Sequence, residues 1–444
     1  MLKTFPTGGI HPSENKLSAG VPIIDLPLPA QVIIPISQHI GAPATPVVEK
    51  GMPVKAGQLI ASSKGYVSAN IHSSVSGKIN KIDQILDSSG YKQTSIVIDV
   101  AGDEWIEGVD KSGILKRDIT DSGEVIVRKC LGAGIVGLGG ATFPTHVKLS
   151  LPPGKKCDVL IINGVECEPY LTSDHLLMVE KSDEIMVGIS LLMKALGVGM
   201  AVIGIESNKP DAINLLTEKS KQYKGISVNP LKVKYPQGGE KQLIKALINR
   251  EVPSGGLPVD VGTVVHNVGT AFAVYEAVQK NKPLVERIVT ITGKSLTKPG
   301  NYRVRIGTPV THLIEAAGGM PDDTGKIVNG GPMMGKALNS PDVPVVKGTS
   351  GIIVFPKSES TRPKAGPCIR CSKCISACAM GLEPYLLMVL GEKSMYDKAE
   401  KERVTDCMEC GSCSYVCPAG RPLLDYIRLG KSRVNKMIRE RKAK

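Results

Sequence analysis

The sequence predicts a multidomain α/β protein: an N-terminal β barrel-sandwich, an α/β layer of parallel strands, a small β-grasp domain and a short C-terminal domain organised by cysteines. Three observations predict it. Between residues 30 and 100, β-rich runs are punctuated by turn glycines at Gly51, Gly57, Gly65 and Gly77. From about 120 to 282 strand-like and helix-like patterns alternate, as parallel strands with helical crossovers require. Eight of the eleven cysteines lie beyond residue 366.

The first unit, residues 1–110, comprises an N-terminal segment and the barrel. Val54 to Ile60, then Val67 to Ile79, read as a barrel-sandwich of the lipoyl/biotinyl kind. Lys64 stands where such domains carry a modified lysine. Its neighbours Ser62, Ser63 and Gly65 do not match an acceptor motif, so an unmodified structural domain is expected.

Residues 120–282 form the second unit. Asp158 to Ile162 and Ala201 to Ile205 read as buried strands, and Ser173 to Leu196 as one or two helices. Asn208 to Tyr223, with Pro210 in its first turn, is a further helix, as are Glu240 to Asn249 and Gly269 to Gln279. Residues 284–355 hold short strands around one helix, Val310 to Ala317, with glycines at 330, 331 and 335. Lys357 to Gly366, rich in Pro, Ser and Lys, reads as a linker into the last unit, 367–444.

Composition narrows the function. Aromatics make up 4% of the chain, which argues against single-strand nucleic-acid binding through stacked rings, and no nucleic-acid motif is present. The net charge is +13, and Arg421 to Lys444 carries nine basic residues against two acidic ones. Such a tail suits an anionic membrane surface or an acidic electron-carrier protein, or forms a solvated helix face. The best membrane-span candidate, Ile185 to Ile205, is interrupted by Lys194, Gly197 and Gly199, so any membrane association is expected through partner proteins.

Cys368, Cys371, Cys374 and Cys378 form one C-x2-C-x2-C-x3-C run; Cys407, Cys410, Cys413 and Cys417, followed by Pro418, form another. This is the spacing of bacterial two-cluster ferredoxins, in which the fourth cysteine of each run ligates the other cluster. The expectation is one [4Fe–4S] cluster on Cys368, Cys371, Cys374 and Cys417, and a second on Cys407, Cys410, Cys413 and Cys378. Structural zinc normally takes two close pairs of ligands. Disulfides need an oxidising compartment, and no signal peptide is expected.

Gly132, Gly134 and Gly137 satisfy G-x-G-x-x-G, but a capped helical pattern precedes them and Pro144 falls where the following helix should be under way. The ordinary dinucleotide reading is therefore rejected. The longer string from Gly134 to Lys148 is more informative: Gly137, Gly139 and Gly140 let backbone amides approach an anion, and Lys148 adds a positive charge. Asn163-Gly-Val-Glu166-Cys-Glu168-Pro169 follows a strand at the sheet edge where α/β folds bind ligands. Gly238-Gly239-Glu240 and Asn267-Val-Gly-Thr270 each open a helix. Paired carboxylates beside a phosphate site suit ribose hydroxyls, a nicotinamide amide or a flavin edge.

G-x-G-G-A-x-F-P-T-x-x-K, N-x-x-E-x-E-P, G-G-E and N-V-x-T, in that order, resemble the FMN- and NADH-binding subunit of respiratory complex I and related diaphorases. The resemblance implies a Rossmann-like α/β FMN/NADH module. Gly137, Gly139, Gly140, Lys148, Asn163, Asn267 and Thr270 would hold the FMN phosphate and ribityl chain. Glu166, Glu168, Gly239 and Glu240 would line the flavin ring and nicotinamide site, with Phe143 and Glu168 positioning the nicotinamide. Hydride transfer at the flavin needs no side chain as general acid, so no residue is expected to be catalytic in that sense. The chain departs from the pattern at Thr142 and Gly269, where the family has glycine and glutamate, and at Lys241 and Gln242 after the G-G-E. Cys167 stands where complex I has serine and is expected to pack near the flavin, with Cys130 and Cys157 as buried small hydrophobes.

The whole domain order, beginning with Gly-Gly-Ile-His-Pro at residues 8–12, resembles the C subunits of Rnf complexes, membrane-bound ferredoxin:NAD+ oxidoreductases that move Na+ or H+. That implies NAD(H) as substrate, FMN and two [4Fe–4S] clusters as cofactors, and other membrane-complex subunits as partners, including an iron–sulfur subunit fed by ferredoxin. It also implies a peripheral place on the cytoplasmic face of the bacterial membrane. Rival readings are a flavin/iron–sulfur cobalamin reductase, whose barrel-sandwich lies C-terminally, the diaphorase subunit of a soluble hydrogenase or formate dehydrogenase, and a non-enzymatic cluster scaffold.

Overall fold

A computed structural model describes residues 2–442. Alternating apolar residues close the first unit. Gln31–Pro35, Lys92–Gly102, Ser76–Leu86 and Pro53–Val54 pair antiparallel in one sheet, and Thr45–Pro46, Leu59–Ser62 and Ile71–His72 in a second. Val32, Ile34, Ile60, Ile71, Ile79, Ile96 and Ile98 point inward from both sheets and form the sandwich core. Lys64 is exposed beyond Leu59–Ser62, its amide donating to the Ser68 hydroxyl.

The second unit is a four-stranded parallel sheet in the order Ile226–Leu231, Ala201–Glu206, Val159–Asn163, Thr263–Asn267. Its strands are almost wholly apolar because helices cover both faces. The expected helical stretch after residue 172 is two helices, Ser173–Glu180 and Ser182–Leu196. The second ends at Gly197, whose φ of 66° is the left-handed stop that glycine supplies. The apolar stretch weighed as a membrane span therefore breaks into a helix and the strand Ala201–Glu206. Among the described residues no helix is long and apolar enough to cross a membrane.

The chain order runs outward from Val159–Asn163 to Ala201–Glu206 and Ile226–Leu231, then returns to place Thr263–Asn267 on the other side. The strand order reverses between Val159–Asn163 and Thr263–Asn267, and that switch point is where α/β sheets bind ligands.

The third unit is a six-stranded mixed sheet, Ile23–Asp25, Gly300–Arg305, Glu286–Thr292, Gly351–Pro356, Thr324–Asn329, Lys336–Ala337, packed on the helix Val310–Ala316. Its edge strand Ile23–Asp25 comes from the N-terminal segment, which also bridges the second unit at Lys3–Leu231 and Ile10–Tyr235 before the chain enters the barrel. The expected linker starts as a helical turn, Lys357–Ser360. In the last unit each cysteine run makes a short helical turn, Lys373–Ser376 or Ser412–Tyr415. A longer helix follows each, Pro384–Glu392 or Leu423–Lys442, and the two pack together.

Candidate functional site

The crevice at the switch point is built from strand ends. Asn163 and Asn267 are the last residues of adjacent parallel strands and sit directly opposite each other. The Asn267 side chain caps the helix Val268–Gln279 by accepting from the Gly269 amide at 2.8 Å, and donates to Asp174 at 2.6 Å. Asn163 donates to the Gly238 carbonyl at 2.9 Å, tying the Gly238–Gly239 turn to the sheet. Thr270 accepts from the Leu138 amide at 2.9 Å, which pins the glycine loop over the same crevice.

The glycines of that loop divide the work. Gly134 is buried, and a Cβ there would strike the Asn70 carbonyl of the barrel, so it serves domain contact. Gly139 and Gly140 are exposed. Beside Gly140, at φ +114°, the space a side chain would take is open, whereas a Cβ on Gly139 would meet Asn267 at 3.4 Å. Thr142 holds φ +51°, the left-handed conformation that explains glycine in the related motif. Lys148, from the helical turn Thr145–Leu149, donates to the Val265 carbonyl at 3.0 Å and pairs with Glu240 at 3.1 Å. Phe143 is half-buried at the loop's end.

The two expected carboxylates part company. Glu166, at φ +48°, turns its side chain onto the helix Ser173–Glu180, accepting from the amides of Asp174 (2.8 Å) and His175 (3.2 Å). It is a helix cap. Glu168 faces the third unit, accepting from the Met333 amide at 3.0 Å, the Met334 amide at 2.8 Å and the Tyr235 hydroxyl at 3.4 Å. Burial pushes its carboxyl up to about 7 despite these donors. A Cβ on Gly331 would overlap the Glu168 carboxylate, so the glycines at 330 and 331 are where that loop closes on it.

Several residues of the site carried no sequence signal. The Lys16 ammonium donates to the carbonyls of Glu166, Glu168 and Leu171 at 3.0, 2.9 and 2.6 Å, folding the whole carboxylate loop around one buried cation. Asp174 is half-buried beside Asn267; burial first, then the Glu166 charge, raise its carboxyl. The buried Arg287 offsets it and also donates to the carbonyls of Thr349 and Leu138. Gly269, where the related motif has glutamate, would place a Cβ 3.6 Å from Asp174 and 3.7 Å from Arg287. A carboxylate from the helix Ser173–Glu180 thus already lies beside that position. Cys167 accepts from the Gly238 amide at 3.3 Å and packs against Tyr235.

All eleven cysteines are free thiols. Cys407, Cys410, Cys413 and Cys378 lie close enough for their charges to act on one another, as do Cys374 and Cys417. Cys378 of the first run thus gathers with the second run, and Cys417 of the second lies by Cys374 of the first. Burial pushes the Cys413 thiol up to about 12 and Cys407 to about 11, with neighbouring thiols adding to the shift. Such a cage holds four thiolates only around a compensating cationic core. Among the described residues no three potential ligands converge on a single ion. The doubled C-x2-C-x2-C-x3-C spacing, with Cys378 beside the second run, is that of thiolates shared between two cubes. The residues present therefore suit [4Fe–4S] groups, and the open glycine loop with Lys148 suits a phosphate-bearing cofactor.

Comparison with known proteins agrees with this geometry. Four family models match in sequence: an RnfC barrel sandwich hybrid domain over residues 3–103, a Nuo51 FMN-binding domain over 131–276, an SLBB domain over 288–337 and a 4Fe-4S dicluster domain over 362–418. Two similar relatives are the C subunits of ferredoxin:NAD(+) oxidoreductase complexes. The one from the proton-translocating complex of Clostridium ljungdahlii is 48% identical over 439 residues, covering 97% of this chain and 94% of its own. The chain belongs to the RnfC family. The relative from the Na(+)-translocating complex of Acetobacterium woodii is 45% identical over 429 residues, 96% of each chain. A crystal structure of NAD+-reducing [NiFe]-hydrogenase shares the fold at 18% identity and a TM-score of 0.50, over 70% of this chain and 63% of that one. FMN and two [4Fe–4S] clusters are the cofactors of these domains.

Proposed function

We propose that this chain is the NAD(H)-oxidising and -reducing subunit of a membrane-bound ferredoxin:NAD+ oxidoreductase complex that couples electron transfer to Na+ or H+ transport. One observation carries the reading: the flavin crevice and a cysteine cage share a wall. The Tyr235 hydroxyl, in the turn leading to Gly238 and Gly239, donates to the Cys410 carbonyl at 2.8 Å, and Gln242, on the helix that Glu240 opens, donates to the Ala379 carbonyl at 3.0 Å. When bound, FMN exchanges a hydride with nicotinamide as an electron pair and electrons singly with the clusters.

The protein's own residues bind and orient. Gly139, Gly140 and Lys148 would receive the phosphate, Asn163 and Asn267 the ribityl chain, and Gly239, Glu240 and Phe143 would flank the ring and nicotinamide; Gly137 and Thr270 instead shape the loop, the Gly137 amide donating to the Phe143 carbonyl at 2.9 Å and the buried Thr270 hydroxyl accepting from Leu138. Glu166 and Glu168 act from behind, holding the loop between them in shape through the helix Ser173–Glu180 and the Met333–Met334 turn. The near cage is Cys378, Cys407, Cys410 and Cys413. The far one contains Cys368 and Cys371, both exposed among Lys364, Arg370 and Lys373, and faces an acidic iron–sulfur partner subunit that receives electrons from ferredoxin. The protein is held at the cytoplasmic face of the membrane through such partners. The test is an anaerobic iron, sulfide and flavin count with NADH added: about eight irons and one flavin, both reduced by NADH, are expected. A flavin-free or NADH-inert protein refutes the reading.

A further inference from the structure

The N-terminal segment runs through the wall between the flavin crevice and the near cage, and its adjacent Gly8 and Gly9 make the contact. Gly8 has φ +64°, and a Cβ on it would collide with the Cys378 carbonyl and lie 2.7 Å from the Ala379 amide nitrogen. Gly9, at φ +88°, donates to the Ala377 carbonyl at 3.0 Å, and a Cβ there would meet Lys234 at 2.5 Å and Phe5 at 2.8 Å. Ile10 and Tyr235 exchange backbone hydrogen bonds of 2.8 Å in both directions. The buried side chains of Ile10, Tyr235 and Ala377 pack with Cys410 and Cys167. Three consecutive residues thus touch a cluster ligand's backbone on one side and the turn leading to Gly238 and Gly239 on the other.

We propose that Gly8-Gly9-Ile10 is a positioning strap that sets the separation between the flavin crevice and the cage of Cys378, Cys407, Cys410 and Cys413, and so the rate of electron passage between them. The inference rests on the function proposed above. It explains why glycine, with its left-handed backbone and missing Cβ, occupies both positions. A methyl group at residue 8 cannot be absorbed by a flexible side chain, because the atoms it meets are backbone, so one unit must shift away from the other.

The test uses the full chain with its cofactors and compares Gly8→Ala with Gly20→Ala, a glycine of the same segment whose added Cβ meets nothing within 4 Å. Rapid mixing with NADH reads flavin reduction by absorbance and cluster reduction by freeze-quench EPR. The flavin fluorescence lifetime, shortened by a neighbouring cluster, reports spacing without turnover. In Gly8→Ala, flavin reduction keeps its rate, cluster reduction slows about tenfold or more, as small misplacements do, and the lifetime lengthens; Gly20→Ala matches the native protein. Unchanged cluster reduction with full iron content, or equal slowing of both steps, overturns the proposal. Should Gly8→Ala fail to assemble its clusters, Ile10→Ala, which loosens the strap without a collision, decides by the same readouts. A native protein whose flavin NADH does not reduce speaks against the proposed function, not the strap.

Discussion

Replacing Glu168 by Gln separates a buried, titrating tether from a ligand-facing carboxylate. The side chain holds the amides of Met333 and Met334 and meets the Tyr235 hydroxyl, joining the α/β unit to the third unit. Burial raises its carboxyl from an ordinary 4.5 to about 7. An acid raised in the folded state keeps its proton longer there than in the open chain. Its tether is therefore at full strength below pH 4.5 and weakens as pH climbs through 7. Each pH unit inside that window is worth about 1.4 kcal/mol, so between pH 5.5 and 8 closure of the Met333–Met334 turn should weaken by about 2 kcal/mol. Hydrogen exchange at those two amides, corrected for intrinsic rates, reads this directly. Glu168→Gln should abolish the pH dependence. Parallel pH profiles in the native protein and the variant would refute the claim that Glu168 titrates behind this turn.

Lys16→Met removes the donor for three carbonyls in a buried loop and should cost about 3 kcal/mol, read as a lower melting temperature and faster loss of FMN; unchanged FMN retention would detach Lys16 from the site. Lys148→Met should weaken FMN binding by about tenfold to a hundredfold, the worth of a charge-assisted bond to phosphate, in a fluorescence titration of flavin-depleted protein. Cys378→Ser and Cys413→Ser should abolish the same EPR signal and leave about four irons per chain, while Cys374→Ser and Cys417→Ser abolish the other. Loss of one signal by both Cys378→Ser and Cys374→Ser would mean that each run keeps its own cluster.

What could be read from sequence was whatever repeats within a few residues of itself. The cysteine runs, the glycine loop and the strand ends at Asn163 and Asn267 announce themselves locally, because spacing alone puts their atoms together. The remainder of the site is held by side chains that arrive from far along the chain. Lys16 reaches the carboxylate loop across 150 residues, and Asp174 meets Arg287 only because the helix Ser173–Glu180 packs on the strand Glu286–Thr292. No periodicity marks such residues: a lysine in a polar N-terminal stretch reads as solvated until the fold buries it. The divergence of Glu166 and Glu168 has the same root. Motif order places both at the ligand, but Glu166 is left-handed and its side chain finds the unpaired amides of a helix start, while Glu168 finds those of the Met333–Met334 turn. Gly269 shows how far that logic extends. A Cβ on Gly269 would lie 3.6 Å from Asp174, so a carboxylate from another helix already stands at that corner. A Gly269→Glu change, which would restore the familiar motif, should therefore disrupt this site by setting a second carboxylate against Asp174.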